Sequence, residues 1–460
     1  MFADGSANAP RSVPVAAWAS PMRSVHADPD AGPAKLDLKQ VIAMGVGAMV
    51  GGGIFSVLGL AIMQTGHAAP IAFALGGVIA LLTGWSYARL GLRFRSDGGS
   101  FTYLEQAFGR GNRAGIGGWL LLVGYIGTLG LYAYTFGVYG SALLGAGTEQ
   151  HGAMQHLLES LVILVFLGVN LYGVKETGTT ELVVVTIKVL ILLLFGAIGL
   201  MDIKADHVLP VFNQGHWGVL MGAALIFVAY EGFELIPNAI NEMEDPERNL
   251  ARGILWSIGI TIVIYVLVSL VAVGNLLPEE VNRYGEYALA AAAKPFLGEA
   301  GFVLIGLAAL FSTASAINAT LFGTARLGAE MARERQLPLA FSFRRRENNI
   351  PWVSLVVISA ITLVFVNGAD LTIISSFASS TFLLIFAAIN LSAWRLRGCI
   401  RIRAWIPLTG MVFAFGSWLV LVMYLWQTDG GTLVWLGLSY AGVIAAELLF
   451  SRRRRFPLTK

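Results

Sequence analysis

Apolar runs of about 18–25 residues recur along the whole chain, the length a helix needs to cross the hydrocarbon of a bilayer. Twelve spans are expected, at Gln40–Met63, Pro70–Leu92, Gly115–Leu144, Leu157–Tyr172, Leu182–Met201, Trp217–Ile240, Ile254–Leu277, Gly301–Leu327, Val353–Asn367, Leu371–Trp394, Ile406–Trp426 and Leu433–Phe450. The runs are too long and too uniformly apolar for barrel strands, which alternate, so helices remain. The fold class that follows is an all-α polytopic membrane protein. Charged residues make up 13% of the chain and apolar ones 56%, where a soluble protein has roughly 25% and 45–50%. That excludes a soluble multidomain enzyme and a disordered chain. One cysteine, Cys399, excludes a disulfide scaffold.

Orientation follows from Lys and Arg, which collect on the cytoplasmic side. With a cytoplasmic N-terminus, all 31 fall there except Lys204, Arg283 and Lys294 outside and Lys188 within a span. Both termini are then cytoplasmic, in a plasma or inner cell membrane. The basic runs Arg344–Arg346 and Arg452–Arg455 read as topology signals, not as a nucleic-acid surface. Residues 1–38, rich in Ala, Pro, Ser and Asp, are expected to form a disordered cytoplasmic tail. They lack the apolar core of a cleavable signal peptide.

Two amphipathic segments interrupt the up-and-down pattern. Gly99–Gly109 follows the second span, and Pro278–Leu297 follows the seventh. They occupy the same place in two five-span blocks but face opposite sides of the membrane, as an inverted repeat would require. The expected organisation is a tail (1–38), a first repeat (39–202), a second repeat (203–398) and an appendix of spans eleven and twelve with a basic tail (399–460). The pairing makes the first and sixth spans equivalent, and these two carry the least helix-like sequence. The first has GVGAMVGGGIF, Gly45–Phe55. The sixth has FVAYEGFE, Phe227–Glu234. Gly costs about 1 kcal/mol relative to Ala in a helix, so interruptions are expected at Gly51-Gly52-Gly53 and at Glu231-Gly232.

At these residues the chain resembles the amino acid–polyamine–organocation transporter superfamily. Val50–Phe55 is similar to its first-span glycine motif. Tyr87–Leu90, Asp97–Tyr103 and Ala107–Gly109 are similar to its second motif. Phe227–Glu234 with Glu242, Asp245-Pro246, Arg248-Asn249 and Arg252 resembles its sixth-span motif, with Ala251 replacing a usual proline. Asn318, Gly323, Arg326, Met331–Arg333 and Leu337-Pro338 resemble the exit of its eighth span. The resemblance implies a LeuT-type 5+5 inverted repeat plus two extra helices. It also implies secondary transport of amino acids or related amines by alternating access.

A break at Gly51–Gly53 would expose amide N–H groups from about Ile54 onward, at the positive end of a helix, as a receptor for a carboxylate. Carbonyls of Met49, Val50, Val228 and Ala229 would accept bonds from an ammonium. The competing reading is that these glycines only allow close packing, since Gly47 and Gly51 have the GxxxG spacing. Glu231 would sit at the sixth-span break beside Gly232, as a counter-charge for a cationic amine or as a proton carrier. Glu234 matches the family pattern and would bond free amides of the broken helix. Tyr230 would close the pocket or simply pack.

Lys188, on the fifth span, resembles the lysine that proton-coupled members carry where sodium-coupled relatives bind a sodium ion. Ser312 and Ser315 are its expected neighbours. Lys188 is also near enough to the cytoplasmic face to snorkel. The expected partners are a small amino acid or amine substrate, protons and the lipid bilayer. No cofactor, metal site, P-loop or nucleophile–base pair is read from the sequence, so an enzyme is not expected. The loop Gly145–His156 has no Cys for a disulfide-linked partner chain. Proton-coupled symport leads; an exchanger on the same fold is the alternative, and a membrane sensor is a distant third.

Overall fold

Asp37 opens the first helix with a capping box. Its carboxylate accepts the Gln40 N–H at 2.8 Å, and the Gln40 side chain accepts the Asp37 N–H at 3.0 Å. From there α1 runs over Leu38–Thr65 and ends at Gly66, whose φ of 59° favours glycine. α2 (Ala69–Arg93) begins with Pro70 in its first turn, where the missing N–H costs nothing. The computed structural model describes residues 35–96, 98–145, 151–173, 178–345 and 349–455. Most of the expected tail, Asp97, residues 146–150 and Arg346 lie outside these, as do the side chains of Arg452–Arg455.

The helices that follow are α3 (Gly99–Phe108), α4 (Asn112–Leu143), α5 (His151–Tyr172), α6 (Gly178–Gly199) and α7 (Gly215–Leu225). After a broken segment come α8 (Pro246–Asn275), α9 (Pro278–Tyr284), α10 (Ala288–Arg333), α11 (Trp352–Gly368), α12 (Leu371–Arg395), α13 (Arg397–Ile400), α14 (Trp405–Thr428) and α15 (Gly430–Arg455). The two amphipathic segments correspond to α3 and to α9 with the start of α10. α10 kinks at Gly298, where φ is 63°, three residues after Pro295. Among the described residues there is no strand, only one bridge between Leu36 and Met243.

Eleven of the twelve expected spans fall on α-helices, and the sixth falls on α7 and the broken segment after it. Among the described residues nine helical stretches are long and apolar enough to cross a membrane, or ten with the bent segment that starts at α7. The first stretch, Leu38–Arg93, contains both α1 and α2, and α11 with 17 residues is shorter than the rest.

Burial grades the helices from the interior to the periphery, with α6, α8 and α10 between the extremes. The apolar windows of the α1–α2 stretch and of α4 and α12 are 72–83% buried within the protein, whereas those of α5, α14 and α15 are 22% buried. The first group forms the interior and the second faces outward. Apolar faces gain nothing from leaving lipid for protein, so close contact and interhelical hydrogen bonds hold the interior together. Asn390 on α12 donates to Thr83 at 2.9 Å and accepts from Ser86 at 2.7 Å, both on α2. Tyr87 on α2 pairs with Ser100 on α3 at 2.7 Å. Such bonds contribute on average about 0.6 kcal/mol each.

Candidate substrate site

The sixth span breaks where its sequence says it should. α7 ends at Leu225, a 3-10 turn covers Phe227–Tyr230, Glu231 is extended, and a 3-10 segment covers Phe233–Glu242. The two halves are bent by 50°. Gly232 makes this possible in two ways. Its φ of 127° is a conformation that side chains disfavour. A β-carbon there would also lie 2.6 Å from Ala48 Cβ and 2.9 Å from Met49 N, so the break lies directly on α1.

The polar groups released by the break find partners inside the protein, as a buried backbone requires. Val228 N–H donates to Ser379 Oγ at 3.0 Å, and that hydroxyl donates to Leu225 O at 2.6 Å. Gly232 N–H donates to Glu234 Oε2 at 2.7 Å, while Tyr125 reaches the other Glu234 oxygen at 3.4 Å. Glu234 thus binds a free amide of the broken helix, the structural role read from its sequence position. Glu231 accepts a hydrogen bond from the Thr128 hydroxyl of α4. Both carboxylates are buried.

The first span differs from expectation. α1 is a continuous α-helix through Gly51-Gly52-Gly53, so no free helix start is exposed at Ile54. The physical reason is packing. A β-carbon at Gly51 would lie 2.7 Å from Ala316 Cβ, one at Gly52 would fall on the Tyr132 ring, and one at Gly53 would lie 2.7 Å from Ala229 O. Three missing β-carbons let α4, α8, α10 and the sixth-span break close around α1. Contacts of that kind offset the helix penalty of glycine.

Met49, Val50, Gly51, Gly52, Gly53 and Ile54 are all buried, as are Val228, Ala229, Tyr230, Glu231 and Gly232, and the two segments meet at Gly53 beside Ala229 and at Gly232 beside Met49. The Tyr265 hydroxyl of α8 lies within hydrogen-bond distance of two carbonyls, Met49 O at 2.7 Å and Ala229 O at 2.8 Å. The Tyr230 hydroxyl points elsewhere, to Phe73 O of α2 at 2.7 Å, and its ring tilts on Tyr265. Ser312 donates to Val50 O at 3.0 Å. Ser315 is half-buried, about one turn further along α10. Lys188 is 3% exposed on α6, one turn beyond Val185, which fills the space left by Gly47. That burial places Lys188 in the interior rather than at the lipid-facing surface.

Sequence reasoning missed Tyr265, Thr128, Tyr132 and Ser379. The chain has 13 tyrosines, so residue type alone does not select Tyr265 or Tyr132. Among the described residues no group of three His, Cys, Asp or Glu is placed to hold a metal ion.

Residues 36–446, nearly all of the helical body, match the family described as amino acid permease. The chain belongs to that family. This permease is 30% identical over 402 residues to the inner membrane transport protein YbaT of Escherichia coli (strain K12), covering 87% of this chain and 93% of the relative. It is 30% identical to the methylthioribose transporter of Bacillus subtilis (strain 168), over 65% of this chain and 67% of the relative. It is 26% identical to the serine/threonine exchanger SteT of the same organism, over 79% of this chain and 84% of the relative. The permease is therefore a multi-pass membrane transporter of a small molecule and not an enzyme.

Proposed function

We propose that the permease is a proton-coupled symporter of amino acids or related amines, working by alternating access between two inverted five-span repeats, with both termini cytoplasmic. The observation that carries this reading is the broken sixth span laid on the glycine stretch of α1, with Glu231 buried at the break. Interrupted spans near the bilayer midplane are where transporters of this construction bind cargo. The substrate's amine would lie at the carbonyls of Met49, Val50, Val228 and Ala229. Its carboxylate would lie along Gly51–Gly53 up to Ile54, with Tyr230, Glu231 and Gly232 on the other wall. In the conformation described Tyr132 fills the space beside Gly52, so substrate entry requires that ring to move and α1 to loosen at its glycines.

Lys188 would carry the coupled proton. Its helix packs on α1 through Val185 and Gly47, and Ser312 already binds Val50 O on the same helix. Protonated, Lys188 would hold α1 to α10; deprotonated, it would release them, with Ser315 as a further hydroxyl on that path. The second reading is exchange, supported by the serine/threonine exchanger among the relatives. Uptake of labelled amino acids into proteoliposomes, with and without an inward proton gradient, separates the two. Uptake into vesicles holding no internal amino acid, enhanced by external acid and independent of sodium, is expected. Strict sodium dependence refutes proton coupling, and flux only against internal substrate establishes exchange.

A further inference from the structure

Two of the carbonyls assigned to the substrate's amine already share one partner. Tyr265 Oη stands 2.7 Å from Met49 O and 2.8 Å from Ala229 O. A phenol carries a single proton and donates to one acceptor at a time. Met49 O lies within the continuous α1, where the helix itself supplies a donor four residues on. Ala229 O has no such recourse. The Gly232 N–H that would close the next 3-10 turn onto it is taken by Glu234. Gly53 is what lets these groups meet, since a β-carbon there would lie 2.5 Å from Tyr265 Oη and 2.7 Å from Ala229 O. Met49, Ala229 and Tyr265 are all fully buried. The first span, the sixth-span break and α8 thus converge on a point with two carbonyl acceptors and one proton. A primary ammonium centred there would bring three donors.

We propose that the Tyr265 hydroxyl is a placeholder for the substrate's ammonium group. The hydroxyl bridges the first span to the sixth-span break, and a bound ammonium displaces it from both carbonyls. The inference rests on the reading that the amine binds at these carbonyls. A phenol oxygen and an ammonium nitrogen are of similar size, so an ammonium that takes the position between these two oxygens takes the place of Oη. Tyr265 therefore sets specificity: the hydroxyl must be repaid for leaving, and only a ligand with at least two N–H donors at that point does so. A ligand of the same shape without the amine leaves the bridge in place.

Tyr265→Phe tests this, because the ring is held independently of its hydroxyl, edge-on to Phe73 at 5.4 Å and tilted on Tyr230 at 5.2 Å. Equilibrium binding of the twenty standard L-amino acids to the purified parent identifies the tightest ligand. That ligand and its analogue lacking only the α-amine are then measured on the parent and on Tyr265→Phe. Tyr265→Met serves as a second variant without the hydroxyl, and size-exclusion profiles report folding. Removing the competitor should tighten the amino acid by roughly three- to tenfold, the worth of one neutral hydrogen bond, and leave the amine-free analogue unchanged. A purely structural role would move both ligands together. Unchanged or weaker amino acid binding by folded Tyr265→Phe or Tyr265→Met overturns the placeholder while leaving the substrate reading intact. A parent that binds the amino acid and its amine-free analogue equally, or binds none of the twenty, overturns the reading of the amine site and the placeholder with it.

Discussion

Replacing Gly52 by Ala isolates one contact between the glycine stretch and its surroundings. Two opposing terms set the outcome. Ala in a helix interior is favoured over Gly by about 1 kcal/mol, so an uncrowded position would gain stability. At Gly52 the new β-carbon falls on the ring of Tyr132, which is 3% exposed and walled in by the interior helices. Overpacking of this kind typically costs about 1–3 kcal/mol. The net expectation is a loss of up to about 2 kcal/mol, because the crowding exceeds the propensity gain. Tyr132→Leu makes room but loses packing of its own, so the double-mutant cycle is the informative quantity. The pair should be coupled by about 1–3 kcal/mol, with the double variant more stable than the sum of the two singles predicts. Thermal unfolding of the four proteins in one detergent measures this, with uptake into proteoliposomes as the functional readout. Uptake by Gly52→Ala should fall steeply, since a barrier raised by about 1.4 kcal/mol slows a step tenfold. Additive stabilities, or normal uptake by Gly52→Ala, would refute both the crowding and the need for Tyr132 to yield its place.

Glu231→Gln should weaken cationic substrates far more than neutral ones, because a close ion pair in a dry site is worth about 2–5 kcal/mol; equal losses in competition assays would assign Glu231 to protons or to structure. Lys188→Ala should bind substrate yet fail to accumulate it against a gradient, and acid-driven accumulation equal to the parent's would remove Lys188 from the coupling path. In a chain lacking the exposed Cys399, a cysteine at Lys294 should react with an impermeant thiol reagent on intact cells while one at Arg401 stays protected; the reverse pattern would invert the topology.

Some features of the site are local in the chain, and these were legible. A span is announced by its own apolar length. The sixth-span break is announced by Glu231 and Gly232 side by side, and the role of Glu234 by its position two residues after the amide it binds. Lys188 was conspicuous as the one basic residue deep in a span. The first span gave the opposite lesson. Three consecutive glycines argued for an interruption, and α1 runs through them unbroken.

The sequence by itself therefore determined the all-helical membrane class, the positions of the spans and the existence of a polar break in the sixth. Tertiary structure alone decided what meets that break. Thr128 reaches Glu231 across 103 residues, and Tyr265 reaches Met49 across 216. Whether glycines unwind a helix or admit neighbours depends on what lies beyond them, here Ala316, Tyr132 and Ala229. The physical reason is range. Apolar length and the helix penalty of a glycine belong to the chain at that point, whereas the partner that satisfies a buried carbonyl exists only once distant helices have packed against it.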